Sequence, residues 1–256
     1  MPELREDLSV RGLYFPLLMR RYRDYRWKGA RYRICSPLED CITAEIRRQR
    51  RLLEAYIVRH PAFGSSLEPL AADGDAPRIV RWMAARSRLA EVGPMAAVAG
   101  AIAELAARAA LGRGAEEAIV ENGGDVFLAS PRLVTVGLFA GANALADKLA
   151  FLIEPSLMPL SVCSSSSFMG HSLSLGQCDL ATVVARDAAL ADAAATRACN
   201  LVRTEGDVSP VLEKVVSIPG VSGVLLVKGD RIGMAGELPE LVRCSDRREG
   251  ALYGQG

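Results

Sequence analysis

The sequence predicts an α+β fold with antiparallel sheets and paired helices. Short apolar runs flank tight glycine turns at Lys28-Gly29-Ala30, Asn122-Gly123-Gly124-Asp125 and Gly229-Asp230, and turns of this kind join antiparallel neighbours. Longer segments of helical periodicity are inserted in pairs between these strands. Two of them, 94–111 and 187–202, are rich in alanine and other small residues. Faces of that kind let a second backbone pack closely.

Residues 20–34 alternate, with Tyr25, Trp27, Tyr32 and Ile34 against Arg26, Lys28, Arg31 and Arg33. This period of two predicts a hairpin with its rings inward and its charges in water. Interleaved rings and arginines can also hold single-stranded nucleic acid. Ile42 to Arg59 reads as an amphipathic helix, with Ile42, Ile46, Leu53, Tyr56 and Ile57 inward and Arg47, Arg48, Arg50 and Arg51 solvated. It stops at His60-Pro61, because proline drives the preceding residue out of helical space. His60 is read as a helix-end histidine.

Residues 63–77 are rich in Gly, Ser, Pro and Asp and read as a surface loop. Ile79–Ala85 reads as a strand or a short helix. Gly93-Pro94 opens the next helix, which ends at Gly112, with Glu104 and Arg108 paired on its outer face. Asn122-Gly123-Gly124-Asp125 is either a hairpin turn or a place where a ligand meets backbone. Leu133–Phe139 and Leu149–Ile153 are antiparallel strands joined through Gly141-Ala142-Asn143. Leu180–Ala185 is a further strand, and Val221–Val227 with Arg231–Ala235 is a last hairpin. The expected organisation is one domain over 1–244 and a frayed polar tail over 245–256.

Half of the 256 residues are hydrophobic, and net charge is +1, an ordinary globular composition. Charge is uneven, however: residues 1–60 hold 14 Lys and Arg against 8 Asp and Glu. Six cysteines lie apart with no Cys-x-x-Cys, beside only two histidines, which argues against zinc and for free thiols in a reducing compartment. No secretory signal is visible, and the apolar run Val92–Ala103 is too short to span a bilayer. A cytoplasmic location without a membrane partner is expected, with the oligomeric state left open.

The chemistry concentrates between Cys163 and Val202. Cys163 precedes Ser164, Ser165, Ser166 and Ser167, and Gly170-His171 follow. Asp187 is placed to cap an alanine-rich helix. On that helix Asp192 and Thr196 share a face with Asn200. Oxygen ligands of this type suit magnesium. The same spacing also fits a solvated Asp with Thr196 bonded back to the carbonyl of Asp192.

Ala191-Asp192-Ala193-Ala194-Ala195-Thr196 resembles the Ala-Asp-Ala-x-Ala-Thr segment of FAD:protein FMN transferases, first catalogued as thiamine-biosynthesis lipoproteins. The likeness covers roughly 90–202: the small-residue helix from Gly93, the Gly123-Gly124-Asp125 turn, the serine run ending in Gly170-His171, and the Asp192/Thr196 helix. Gly170-His171-Ser172-Leu173-Ser174 further resembles a short cytoplasmic branch of that superfamily. The resemblance implies a duplicated antiparallel fold similar to the tunnelling fold of pterin enzymes. It implies FAD in a cleft with magnesium at its diphosphate, and FMN passing to a threonine of a target protein as AMP leaves. Asp192, Thr196 and a carbonyl near Ala96 would hold the metal. Gly123, Gly124, Asp125, Ser164, Ser165, Ser166 and Gly170 would meet the nucleotide, and His171 would act as hydrogen-bond donor or base.

There are departures. Ser172-Leu173-Ser174-Leu175-Gly176 replaces an Asp-Pro-x-Thr-Gly turn, Ala97-Val98 replaces a Lys-Gly pair, and Ser167 stands where the family has a glycine. A binding module that keeps the cleft without the chemistry is therefore the second expectation. Nucleic acid, through the basic N-terminal section, is the third and weakest.

Overall fold

The computed structural model describes residues 20–138, 149–167, 177–243 and 252–253. The strands are β1 (Arg23–Trp27), β2 (Ala30–Cys35), β3 (Ala118–Asn122), β4 (Asp125–Ala129), β5 (Val134–Leu138), β6 (Leu149–Ile153), β7 (Leu160–Ser165), β8 (Leu180–Ala185), β9 (Val221–Lys228), β10 (Arg231–Gly236), β11 (Glu240–Arg243) and β12 (Leu252–Tyr253). The helices are α1 (Glu39–Arg59), α2 (Pro61–Ser65), α3 (Arg78–Leu89), α4 (Val98–Leu111), α5 (Ala188–Leu201) and α6 (Val208–Val216).

Eight strands form one sheet in the order β1-β2-β3-β4-β7-β8-β9-β10, and a second sheet runs β11-β6-β5-β12. All pairings are antiparallel except β12 with β5. Alternation along each strand divides the large sheet into two faces. Val120, Phe127, Cys163 and Val183 look toward the helices. Ile119, Val126, Val162 and Val184 pack with Phe151 and Ile153 of the small sheet. The fold is thus α+β with antiparallel sheets.

The N-terminal hairpin forms about Lys28-Gly29, where Gly29 has φ +81°. Tyr32 and Ile34 are buried, while Arg31 pairs with Asp24 and Lys28 with Glu54. His60 ends α1, stacks on Tyr56 with centroids 4.2 Å apart, and lies 3.4 Å from Asp73.

Of the two readings of Ile79–Ala85 the structure has the helix: it lies within α3, whose buried Ile79, Val80, Met83, Ala84 and Ser87 repeat at helical spacing. Three expectations are corrected. The 63–77 segment begins inside α2, where Phe63 is buried edge-on to Tyr56. Leu252–Tyr253, expected in a frayed tail, pair with Val136–Gly137. Glu104 is buried rather than on an outer face, for a reason given below.

A 3-10 turn, Pro94–Ala97, leads into α4. By length and composition Pro94–Leu111 could cross a bilayer. Within this fold it is the central helix, with Ala101, Ile102, Ala103, Ala106, Ala107 and Ala110 fully buried.

Candidate functional site

α4 and α5 cross at their first turns. A Cβ built on Gly100 would fall well inside 3.0 Å of the Ala188 carbonyl oxygen, closer than real side chains sit. Glycine is therefore what allows the crossing. The neighbour of α4 at its start is Ala97, which offers no side-chain cap, so the N–H groups of the first turn need another acceptor. Asp192 of α5 provides it. Its Oδ2 accepts the Gly100 N–H at 2.9 Å, and the Ala99 N–H adds to this. In return Glu104 of α4 accepts the Ala188 N–H of α5 at 2.7 Å through Oε2, and holds Arg108 Nε at 2.6 Å through Oε1. Each helix thus caps the other with a carboxylate.

The same N-terminus of α5 is also capped by its own preceding residue. Asp187 Oδ1 accepts the Leu190 N–H at 3.0 Å, and its Oδ2 takes Arg86 Nε at 2.6 Å and Trp82 Nε1 at 3.0 Å.

A second carboxylate reaches the crossing from the sheet. Gly123 and Gly124 have φ +65° and +104°, left-handed conformations that favour glycine in a two-residue hairpin turn. Asp125 follows on the helix-facing side of β4, only 6 % exposed. Asn122 pins the turn to α4 by donating from Nδ2 to the Ala99 carbonyl at 3.2 Å. Cys163 lies opposite Asp125 in register, and its thiol points to the Ala188 carbonyl at 3.6 Å.

Asp192 is 9 % exposed. Burial pushes its carboxyl up to about 7, against the helix N–H groups that favour its charge. Burial also raises Asp125, and the nearby charge of Asp192 raises it further, while hydrogen bonding from the Cys163 thiol and the Ser164 N–H works the other way. Burial raises the Cys163 thiol as well. Among the described residues no Lys or Arg pairs with Asp125 or Asp192, and Asp125 Oδ1 has no hydrogen-bond partner. A buried charge without a partner is costly. Both acids of this corner therefore hold their protons more readily than free carboxyls, and would be stabilised together as carboxylates only by a cation.

The sequence-derived candidates divide accordingly. Asp125 and Asp192 lie near enough for the charge of Asp192 to raise Asp125, and the Gly123-Gly124 turn is held to the start of α4 through Asn122. Thr196 lies one turn along α5 from Asp192, almost fully buried, and Ala96 sits in the 3-10 turn before α4. Ser164 is different. Its hydroxyl is 2.9 Å from that of Thr182 on the face toward the small sheet, so only its backbone serves Asp125. Ser165 and Ser166 lie at the end of β7 and just beyond it, and Ser166 is buried. Gly170 and His171 fall outside the described residues.

The oxygen donors present fit a hard divalent cation: two carboxylates, a hydroxyl and nearby carbonyls. No cluster of three or more His, Cys, Asp or Glu with metal-binding arrangement occurs among the described residues. Sequence reasoning missed Glu104 and Cys163 as parts of this corner. A lone acidic residue in an alanine-rich helix was the available sign for Glu104. A groove of about 420 Å³ lined by Arg48, Gln49, Arg78 and Arg108 lies instead against the later part of α4 and includes none of these residues.

The family described as AbpE bacteria matches residues 31–214. A UPF0280 protein of Methanocaldococcus jannaschii is 40 % identical over 207 residues, covering 79 % of this chain and 84 % of its own. One from Methanospirillum hungatei is 43 % identical over 204 residues, covering 80 % and 82 %. Among solved structures, the ApbE protein of Thermotoga maritima superposes with TM-score 0.63 at 13 % identity, covering 84 % of this chain and 97 % of that one. The apo flavinyl transferase ApbE of Pseudomonas stutzeri superposes with TM-score 0.55 at 13 % identity, covering 86 % and 96 %. The chain belongs to the AbpE bacterial family, together with the UPF0280 proteins, and has the ApbE-like fold.

Proposed function

We propose that this protein binds an FAD-like nucleotide with a divalent cation, magnesium by preference, where α4, α5 and the Gly123-Gly124 turn converge. The observation that carries the reading is the pair of buried carboxylates, Asp125 and Asp192, with no cationic side chain paired to them among the described residues. A flavinyl transferase shares the fold, which supports flavin as the ligand class.

In this reading Asp192, Thr196 and the Ala96 carbonyl hold the cation, which when bound neutralises diphosphate oxygens. The glycine turn and the Ser165–Ser166 segment meet phosphate, while the Ser164 N–H holds Asp125. Gly123 suits this, since nothing lies within 4 Å of a Cβ built there. By the sequence resemblance, Gly170 is assigned to the nucleotide and His171 to holding or accepting the proton of an incoming hydroxyl. Positioning and charge neutralisation then do most of the catalytic work, as in other phosphoryl transfers. The acceptor is a threonine of a target protein.

The wider assignments belong to the same proposal. The two sheets are read as a duplicated, tunnelling-fold-like architecture within one domain over 1–244. The free cysteines among the described residues fit a cytoplasmic location.

A second reading, binding without transfer, is favoured by Ala97-Val98 at the start of α4, where the resembled family has Lys-Gly. The two separate cleanly in one assay. The protein is incubated with FAD, magnesium and a threonine-bearing acceptor, and AMP is followed by chromatography. AMP with flavin on the acceptor supports transfer, and bound FAD without AMP supports the second reading. No FAD binding at all contradicts both.

A further inference from the structure

We infer that Cys178 and Cys199 form a reversible intramolecular disulfide, by exchange with a small disulfide of the glutathione class. This assigns a modification site, and it holds whatever ligand binds where α4 and α5 cross.

Three sets of contacts bring the two thiols together. The Cys178 and Cys199 side chains share a hydrogen bond. Ser167 touches both residues: its N–H donates to the Cys178 carbonyl at 3.0 Å, and its Oγ lies 3.7 Å from Cys199 Sγ. The Gln177 N–H donates at 2.9 Å to the carbonyl of Val202, the C-cap of α5. Cys178 is thereby seated against the turn that carries Cys199. Both thiols are buried, which makes exchange slow. Their neighbours are not: Gln177 is exposed and Ser167 half-buried, so the pair lies directly beneath the surface.

The pair is asymmetric. Cys178 Sγ lies 3.2 Å from the Leu180 carbonyl oxygen and 3.4 Å from that of Val227, acceptors that hold its proton. Its bond to Cys199, and then burial, raise the Cys178 thiol. Cys199 instead has that thiol and the Ser167 hydroxyl beside it, groups able to donate to a thiolate. Cys199 is therefore the attacking thiol. Its thiolate attacks one sulfur of the small disulfide, and the first small thiol leaves with the Cys199 proton. Cys178 then loses its proton and attacks Cys199 Sγ, and the second small thiol leaves with that proton. Two protein thiols are oxidised, and one small disulfide is reduced to two thiols.

The probe is oxidised glutathione. The full native chain is equilibrated with reduced and oxidised glutathione at several ratios, quenched in acid, alkylated in denaturant and mapped by peptide mass spectrometry. In oxidising buffer the expected product is a Cys178–Cys199 linked peptide pair, in an intact chain lighter by two hydrogens. Excess reduced glutathione is expected to restore all six thiols. Cys178→Ser is expected to stop at a mixed disulfide between Cys199 and glutathione. Cys199→Ser is expected to take up glutathione at Cys178 about tenfold more slowly, or not at all, for want of the attacking thiol. A native wild-type chain that keeps Cys178 and Cys199 reduced in oxidising glutathione overturns the inference. A bridge that forms only in denaturant, or that maps to another pair, overturns it too. If either serine variant does not fold, the wild-type map decides alone.

Discussion

Glu104 and Asp192 do the same structural job and carry different burdens. Each is a carboxylate on one helix that accepts the first-turn N–H of the other, and each is at least nine-tenths buried. Glu104 also holds Arg108, four residues along its own helix. Among the described residues Asp192 has only backbone donors, and it lies close to Asp125. A helix N-terminus favours negative charge by a fraction of what burial takes away. One cap is therefore complete within the protein, and the other leaves charge for something else to neutralise. Reciprocal capping explains why an Asp belongs in α5 even without a ligand. The missing counter-charge is what points beyond structure.

Several perturbations test this contrast, beginning with the crossing on which both caps depend. Gly100→Leu places side-chain atoms where the Ala188 carbonyl lies, which only a backbone shift can relieve. Its melting temperature is expected to fall severely, by more than the roughly 1–3 kcal/mol typical of overpacking. Ala194→Leu, at a fully buried position on α5, tests ordinary overpacking and is expected to stay within that range by chemical denaturation.

Arg108→Ala makes Glu104 resemble Asp192 by removing its cation. Since the Arg108 side chain is 47 % exposed, a loss of about 1 kcal/mol is expected in urea unfolding. Adding Glu104→Gln should recover part of it.

Glu121 gives the smallest and most specific effect. Burial raises its carboxyl from 4.5 to about 7, with Arg33 opposing. A carboxyl raised in the folded state binds its proton more tightly there than in the unfolded chain. Its contribution to stability is present in full below 4.5 and is lost as pH rises through about 7. Glu121→Gln should therefore remove part of the decline in melting temperature between those values, and melt above wild type by the largest margin at pH beyond about 7.

Much of the fold was legible because its signals are local. Gly29, Gly123 and Gly229 mark hairpins through conformations that the chain requires there, and all three have positive φ. Asp187 stands directly before the alanine run it caps. On sequence α3 stands between strand and helix, because it begins at Arg78 after Pro77 with no side-chain cap to announce it. The misreadings were of tertiary origin. Glu104 has an i,i+4 arginine, which on sequence reads as a solvated pair, yet its main partner is an amide 84 residues away. The serine run looked uniform, but strand alternation turns Ser164 toward Thr182 and away from Asp192. Asp192 itself was legible as important, whereas its bond to Gly100 required the helix crossing to be seen.

The account stands or falls on Asp192 as the residue that couples cation and nucleotide. Calorimetric titration of FAD, with and without magnesium, into wild type, Asp192→Ala and Thr196→Val tests this directly, with circular dichroism confirming the fold of each. The expected result is magnesium-dependent binding in wild type, a smaller but measurable loss in Thr196→Val, and none detectable in a folded Asp192→Ala. FAD binding by Asp192→Ala with wild-type affinity and magnesium dependence would contradict the account, and leave Asp192 as a helix cap alone.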